Sequence, residues 1–291
     1  MQVGILGTGL MGAPMALQLH QAGFEVTAWN RTPEKLAPLQ QAGMTTVGSA
    51  AEAIASSPVT ITMLSDAAAI ESAVLAEPAA LEGRTILQMG TIAPAESREL
   101  DQKIRAAGGE YLEAPVLGSI PQVKAGSLIV MVGSTTEQYD QWLPVLKCFG
   151  PAPQWMGAVG TAAATKLAMN QLIGTLTAAF SMSLSLVQQE GLDIDKFMDI
   201  VRESALYAPT FDKKLARMCD RNFTNPNFPT KHLLKDMNLF VKAAQDQGID
   251  ATVAAGVSQM AESAIAQGLA DQDYSAIYSA VNPPSDQPES T

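Results

Sequence analysis

Two cysteines and two histidines are all that 291 residues contain. Cys148 and Cys219 lie far apart, and no His, Cys and Asp residues gather at metal-ligand spacing, so no metal is expected. Nothing calls for a disulfide framework, which fits a reducing cytoplasm. Basic residues are the next scarcity: 18 against 29 acidic ones, for a net charge of −11. No basic cluster stands out, which argues against nucleic acid or an anionic membrane as the main partner. A uniform apolar run is missing too. The most apolar stretch, Leu167 to Val187, is broken by Asn170, Gln171 and several Ser and Thr residues and preceded by Lys166, so it reads as a buried helix and not a span. Only Met1 and Gln2 precede the first apolar run, which leaves no room for a signal peptide.

What is present is the composition of a folded enzyme-sized chain. Hydrophobic residues make up 47% and charged residues 16%, and the length suffices for two domains. In the first half, apolar runs suited to buried strands appear at Val3–Leu6, Val26–Trp29, Val59–Leu64, Thr85–Met89, Tyr111–Ala114 and Leu128–Val132. Helical patterns at Pro33–Ala42, Ala67–Ala76 and Pro94–Ala107 separate most of them, which predicts an α/β, doubly wound and mostly parallel sheet. Gly118–Ser127 is too short and too rich in Gly and Pro for a full crossover helix, so the sheet is expected to end there in a mixed edge. Beyond the Gly150–Pro153 segment helical patterns take over: Ala162–Glu190, Ile194–Ser204, Lys213–Asp220, Thr230–Gln247, Val253–Gln267 and Tyr274–Ala280, with Gly191 and Gly248 as helix stops. The expected division is a sheet domain over 1–160, an all-α domain over 161–281 entered by a long helix, and a polar, proline-rich mobile tail over 282–291.

The first thirty residues are the most informative. Val3–Leu6 runs into Gly7-Thr8-Gly9-Leu10-Met11-Gly12, then an Ala/Met/Leu-rich helix, then Val26–Trp29. Strand, glycine turn, helix and strand form the setting in which GxGxxG holds a dinucleotide. Gly7 suits the tight turn, Gly9 admits a pyrophosphate close to the backbone, and Gly12 brings the helix against the strand. The helix N-terminus offers N–H groups and partial positive charge to the phosphates, with Leu10 and Met11 beside them. The competing reading is a glycine turn that serves only to pack the unit. The second strand ends in Asn30-Arg31-Thr32, without the carboxylate that binds a ribose 2′-hydroxyl. Arg31 can pair with a 2′-phosphate, helped by Asn30 and Thr32, which favours NADP(H) over NAD or FAD. Thr32 before Pro33 and Glu34 also reads as a helix cap.

A second constellation opens the long helix. Lys166 and Asn170 are four residues apart and share one helix face among apolar neighbours. A lysine drawn out of water gives up its proton more readily near neutrality, which suits acid–base work. A lysine that merely snorkels from a helix end fits the same spacing. His20 and His232 are weaker candidates, and Phe211, Phe228 and Phe240 read as core.

Taken together, the GTGLMG turn, Asn30-Arg31-Thr32, Glu113-Ala-Pro-Val-Leu-Gly-Ser119, the Gly157–Lys166 segment with Asn170, and Lys235-Asp236 resemble the β-hydroxyacid dehydrogenase family. This family includes 3-hydroxyisobutyrate dehydrogenases, tartronate semialdehyde reductases and glyoxylate/succinic semialdehyde reductases. The likeness covers nearly the whole chain in order, and the NRT and EAPVLGS forms resemble the glyoxylate/succinic semialdehyde reductase branch. The resemblance implies that Lys166 exchanges a proton with the substrate oxygen and that Asn170 orients the substrate. It implies that Lys235 lies near cofactor and substrate with Asp236 beside it, that Thr91 approaches the nicotinamide, and that Leu64 and Ser65 line the cofactor. It also implies a site in the cleft between the domains. Many members carry a serine after Pro-Val that binds the substrate carboxylate; here Leu117 stands there, leaving Gly118 and Ser119 as the donors.

The expected activity is NADPH-dependent reduction of a small aldehyde or keto acid such as glyoxylate or succinic semialdehyde, by a homodimer or homotetramer. A 3-hydroxyisobutyrate or tartronate semialdehyde type of dehydrogenase is the alternative within the family. Imine reductases of this fold generally lack the lysine, which speaks against imine chemistry. A non-catalytic NADP-binding sensor or scaffold is the alternative outside it.

Overall fold

A computed structural model describes residues 1–284; the last seven residues of the expected tail, 285–291, lie outside the described residues. The chain divides into two compact units, Met1–Leu167 and the residues from Ala168 on.

The first unit alternates strand and helix: β1 (Gln2–Leu6), α1 (Gly12–Gln21), β2 (Glu25–Trp29), a 3-10 turn at Pro33–Leu36 running into α2 (Ala37–Gln41), β3 (Thr45–Thr46), α3 (Ala50–Ala55), β4 (Val59–Thr62), α4 (Ala67–Val74), a second 3-10 turn at Pro78–Leu81, and β5 (Thr85–Gln88). Then follow α5 (Pro94–Ala106), β6 (Glu110–Glu113), β7 (Val116–Leu117), α6 (Ile120–Lys124), β8 (Ile129–Gly133), α7 (Thr136–Leu146) and β9 (Gln154–Gly157). The strands form one sheet in the order β3-β2-β1-β4-β5-β6-β8-β7, with β9 also on β8. From β3 to β6 every pairing is parallel; β8 runs antiparallel to β6 and β7. The expected mixed edge is there, although Gly118–Ser127 also holds the short helix α6. Strand order reverses between β1 and β4, so the turns after these strands flank the crevice where such sheets bind ligands.

Side-chain alternation explains why the sheet is covered on both faces. In β5 Ile86 joins one apolar cluster and Leu87 the other; in β6 Tyr111 and Leu112 divide the same way. Met15 and Leu19 of α1 are fully buried in the cluster that also takes Val3 and Ile5, each contributing about 1.5–3 kcal/mol of apolar burial.

The long helix α8 (Thr161–Gln189) crosses the division between the units. The second unit continues with α9 (Ile194–Glu203), α10 (Pro209–Cys219), α11 (Thr230–Asp246), α12 (Thr252–Ala266), a 3-10 turn at Tyr274–Ala276 and α13 (Ile277–Val281). Gly191 and Gly248 stand just past the ends of α8 and α11. The helix expected from Lys213 begins four residues sooner, because Pro209 supplies a helix-ready φ at its first position. Phe211 stacks on Phe180 with ring centroids 4.7 Å apart, and Phe228 and Phe240 pack on a second helical core cluster.

Candidate active site

The turn after β1 is shaped by its glycines, each for a different reason. Gly7 has φ +94°, and its N–H donates to the Trp29 carbonyl at 2.9 Å; a Cβ there would run into the Met63 carbonyl. A Cβ on Gly12 would land on the Gly7 carbonyl, so the absence of a side chain lets α1 sit directly on the turn. Gly9 differs: no heavy atom lies within 4 Å of where its Cβ would be. Among the described residues nothing forbids a side chain at Gly9, and a group from outside the chain has room to reach its backbone. The start of α1 carries no acidic residue and no side-chain cap, which leaves its N–H groups and dipole for an anion. These residues fit a dinucleotide pyrophosphate.

The segment after β2 is fastened to this turn. The Thr8 N–H donates to Asn30 Oδ1 at 3.0 Å, and Asn30 Nδ2 donates to the Thr32 carbonyl at 2.9 Å. The Thr8 hydroxyl, in a residue only 4% exposed, donates to the Lys35 carbonyl at 3.3 Å. Asn30 uses its amide to hold the glycine turn against the end of β2; the sequence suggested direct help with a phosphate. Thr32 starts the 3-10 turn with an extended backbone, but its side chain makes no cap. Arg31 is exposed beside this clamp, and Lys35 adds a second exposed cation one turn on. Thr8 and Lys35 were missed in the sequence; the Thr between the two glycines was the available signal.

The turns after β4 and β5 complete this rim. The Met89 N–H donates to the Thr62 carbonyl at 3.0 Å, and a Cβ on Gly90 would stand 2.9 Å from the Leu64 carbonyl. The structure therefore brings Leu64 beside Gly7 and Gly90 beside Leu64, with Ser65 and Thr91 the next residues along these two turns. Ser65 donates to Asp66 Oδ2 at 2.7 Å, and Asp66 caps α4 through the Ala69 N–H.

At the β7 end, Leu117 is half-buried and Gly118 has φ +135°, with Leu128 packed so that a Cβ would stand 2.6 Å from its Cδ2. The N–H and hydroxyl of Ser119 both donate to Gln122 Oε1, at 3.0 and 2.8 Å. The sequence offered these two groups to a carboxylate; in the structure both are engaged, and a carboxylate at this turn competes with the Gln122 amide oxygen.

Lys166 is 9% exposed and Asn170 4%, on one face of α8. Asn170 Nδ2 donates to Asp236 Oδ2 at 2.6 Å, and Asp236, on α11, is 2% exposed. Such a charge-assisted bond contributes about 1.5–3 kcal/mol. Lys235 Nζ lies 3.0 Å from Asp236 Oδ1. Asn170 and Asp236 thus form a buried pair with the half-exposed Lys235 at its rim, and burial and the Lys235 charge push the nearby His232 imidazole below its usual range. Among the described residues no three His, Cys, Asp or Glu side chains gather as a metal site, and no helix is long and apolar enough to cross a membrane.

Residues 2–160 match the family model for the NAD binding domain of 6-phosphogluconate dehydrogenase, and residues 160–281 match that for NAD-binding of NADP-dependent 3-hydroxyisobutyrate dehydrogenase. The chain belongs to the 3-hydroxyisobutyrate dehydrogenase-like family of β-hydroxyacid dehydrogenases. This β-hydroxyacid dehydrogenase is 34% identical over 285 residues to glyoxylate/succinic semialdehyde reductase 1 of Arabidopsis thaliana, covering 97% of this chain and 98% of that one. Its fold is similar to Mycobacterium tuberculosis 3-hydroxyisobutyrate dehydrogenase solved with L-serine, with a TM-score of 0.87, 24% identity and coverage of 97% and 99%. It is also similar in fold to Psf3 in complex with NADP+ and 2-OPP, with a TM-score of 0.85, 21% identity and coverage of 96% and 100%. The protein is an NAD(P)-dependent β-hydroxyacid dehydrogenase, an oxidoreductase.

Proposed function

We propose that this β-hydroxyacid dehydrogenase reduces small carboxylate-bearing aldehydes or keto acids, glyoxylate and succinic semialdehyde foremost, with NADPH. One observation carries the chemistry: a lysine and an asparagine, both buried, on one helix face, the asparagine held by a buried aspartate. NADPH held by the Gly7–Gly12 turn and the start of α1 would supply the hydride. Lys166 gives its ammonium proton to the carbonyl oxygen as charge develops there, a contribution of about 10²–10⁴ in rate for a positioned acid. Asn170, anchored on Asp236, aims its amide at the substrate. Leu117 offers the substrate carboxylate no side-chain donor, so the role falls to the Gly118 N–H and to Ser119, which must first exchange its Gln122 contact. The name of the Arabidopsis relative supports this substrate class.

NADP over NAD rests on Arg31 and Lys35, two exposed cations beside a strand end that carries no carboxylate. A homodimer or homotetramer is supported by Leu172, Leu176, Met182 and Leu186 of α8, four large apolar side chains that are 37–64% exposed along one helix. Cys148 and Cys219 are free thiols, in keeping with a cytoplasmic setting.

The test is NADPH oxidation against glyoxylate, succinic semialdehyde, tartronate semialdehyde and methylmalonate semialdehyde, repeated with NADH. Turnover of one of the first two, with NADPH preferred, is expected. Tight NADPH binding without oxidation by any of the four would replace the reductase with an NADP-binding sensor, and an NADH preference would overturn the role given to Arg31.

A further inference from the structure

Glu113 closes β6 and is 1% exposed. Its Oε1 accepts three backbone N–H groups: Gly160 at 2.8 Å, Ala162 at 2.9 Å and Ala163 at 3.0 Å. These are donors that a helix leaves unpaired in its first turn, and they lie at the positive end of the α8 dipole. Oε2 accepts the Ser97 hydroxyl, and Ser97 Oγ lies 2.7 Å from the Tyr111 hydroxyl. Ser97 has one proton and gives it to Glu113, so Tyr111 is the donor to Ser97. Burial pushes the Glu113 carboxyl upward against the pull of these four donors, and it pushes the Tyr111 hydroxyl upward as well. Across the β6–β8 pair, Gly133 faces Glu113, and a Cβ there would stand 2.5 Å from Oε1. The surroundings are built to admit this carboxylate and to meet both of its oxygens.

The placement of Glu113 links two parts of the proposed reaction. Ala162 and Ala163 precede Lys166 by one helical turn. On the other side, β6 runs through Ala114 and Pro115 into β7 and the Leu117–Ser119 turn. One side chain thereby ties the helix that carries the proton donor to the strand that leads to the proposed carboxylate turn. We infer that Glu113 is a positioning residue: it fixes the start of α8 so that the Lys166 amine is held at a set distance from the Leu117–Ser119 turn. The inference rests on the reductase reading above, since it assigns Lys166 the proton.

Glu113→Gln tests it. The amide keeps an acceptor oxygen for the α8 N–H groups and fills the same space, but it loses the charge and must turn its NH2 toward Ser97. The expected result is a kcat lowered about 10- to 100-fold with KM for NADPH within about twofold of wild type, since misplacement and not lost binding is the defect. Amide hydrogen exchange of residues 160–167 should speed about tenfold or more, a readout independent of any substrate. Glu113→Asp keeps the charge one carbon short, and its kcat should fall between the two; it also serves if the glutamine protein folds poorly. Wild-type kcat in both variants, with faster exchange at the start of α8, would overturn the inference and leave Glu113 a stability cap. Unchanged exchange would overturn it at the earlier step. Lys166→Ala run in parallel separates the two readings: if it turns over like wild type, the reductase reading fails; if it is impaired while Glu113→Gln is not, only the positioning role fails.

Discussion

Two helix N-termini in the first unit meet the same physical problem in opposite ways. At the start of α1 no side chain caps the turn and no acidic residue enters it. At the start of α8 a buried carboxylate from another strand takes three N–H groups on one oxygen. Both ends carry unpaired donors and partial positive charge. The chain answers that charge at α8 with its own glutamate and leaves it at α1 for an anion from outside. On the readings proposed above, the terminus that holds Lys166 in place is filled internally and the one that takes a ligand is kept bare.

The largest effect expected on this contrast comes from the residue that α8 holds in place. Lys166→Ala should lower kcat by about 10²–10⁴ while NADPH still binds, measured by steady-state oxidation and by cofactor fluorescence; wild-type turnover would remove the reason for filling the α8 terminus. The α1 terminus is probed by a pair of glycine changes. Gly12→Ala should cost about 3 kcal/mol or more of stability, because its methyl meets the Gly7 carbonyl. Gly9→Ala should cost under about 0.5 kcal/mol of stability, because its methyl meets nothing in the chain, while NADPH affinity falls about tenfold. Thermal melts with and without cofactor read both, and equal destabilisation by the two changes would break the comparison. Arg31→Ala should weaken NADPH about 10- to 100-fold and leave NADH nearly unchanged, the loss of one charge-assisted contact.

The smallest effect is in pH. The folded-state pKa of Glu113 lies above the ordinary value of 4.5, chiefly through burial. A raised carboxyl binds its proton more tightly folded than unfolded, so its contribution to stability is fully present below about pH 4.5 and is lost as pH rises through the raised value. The wild-type melting temperature minus that of Glu113→Gln should therefore grow as pH is lowered across that window. No such slope is expected from the start of α1, whose first turn carries no acidic residue.

The same contrast separates what the sequence disclosed from what it concealed. The α1 terminus was legible because its demands fall on six consecutive residues, Gly7 to Gly12, where spacing alone is informative. Lys166 and Asn170 were legible because a helix puts positions four apart on one face. The α8 terminus was hidden because Glu113 reaches backbone donors 47–50 residues away, and backbone N–H groups leave no mark in a sequence. The clamp made by Asn30 was hidden because an amide that holds a turn and one that binds a phosphate look alike until partners are seen. Among the elements, α7 was overlooked with Pro144 inside it, and β9 because its half-exposed residues, Trp155 among them, show no alternation.

Gly133 carries a consequence for anyone altering this protein. A glycine inside a strand is a usual target for stabilisation, since a side chain there normally limits the unfolded chain and adds contacts. Here the strand cannot be improved by itself, because the space next to Gly133 already belongs to Glu113 on the neighbouring strand. The two positions form a single unit of substitution: a larger residue at 133 calls for a smaller, uncharged one at 113, and that exchange would trade a stiffer strand for a looser hold on the start of α8.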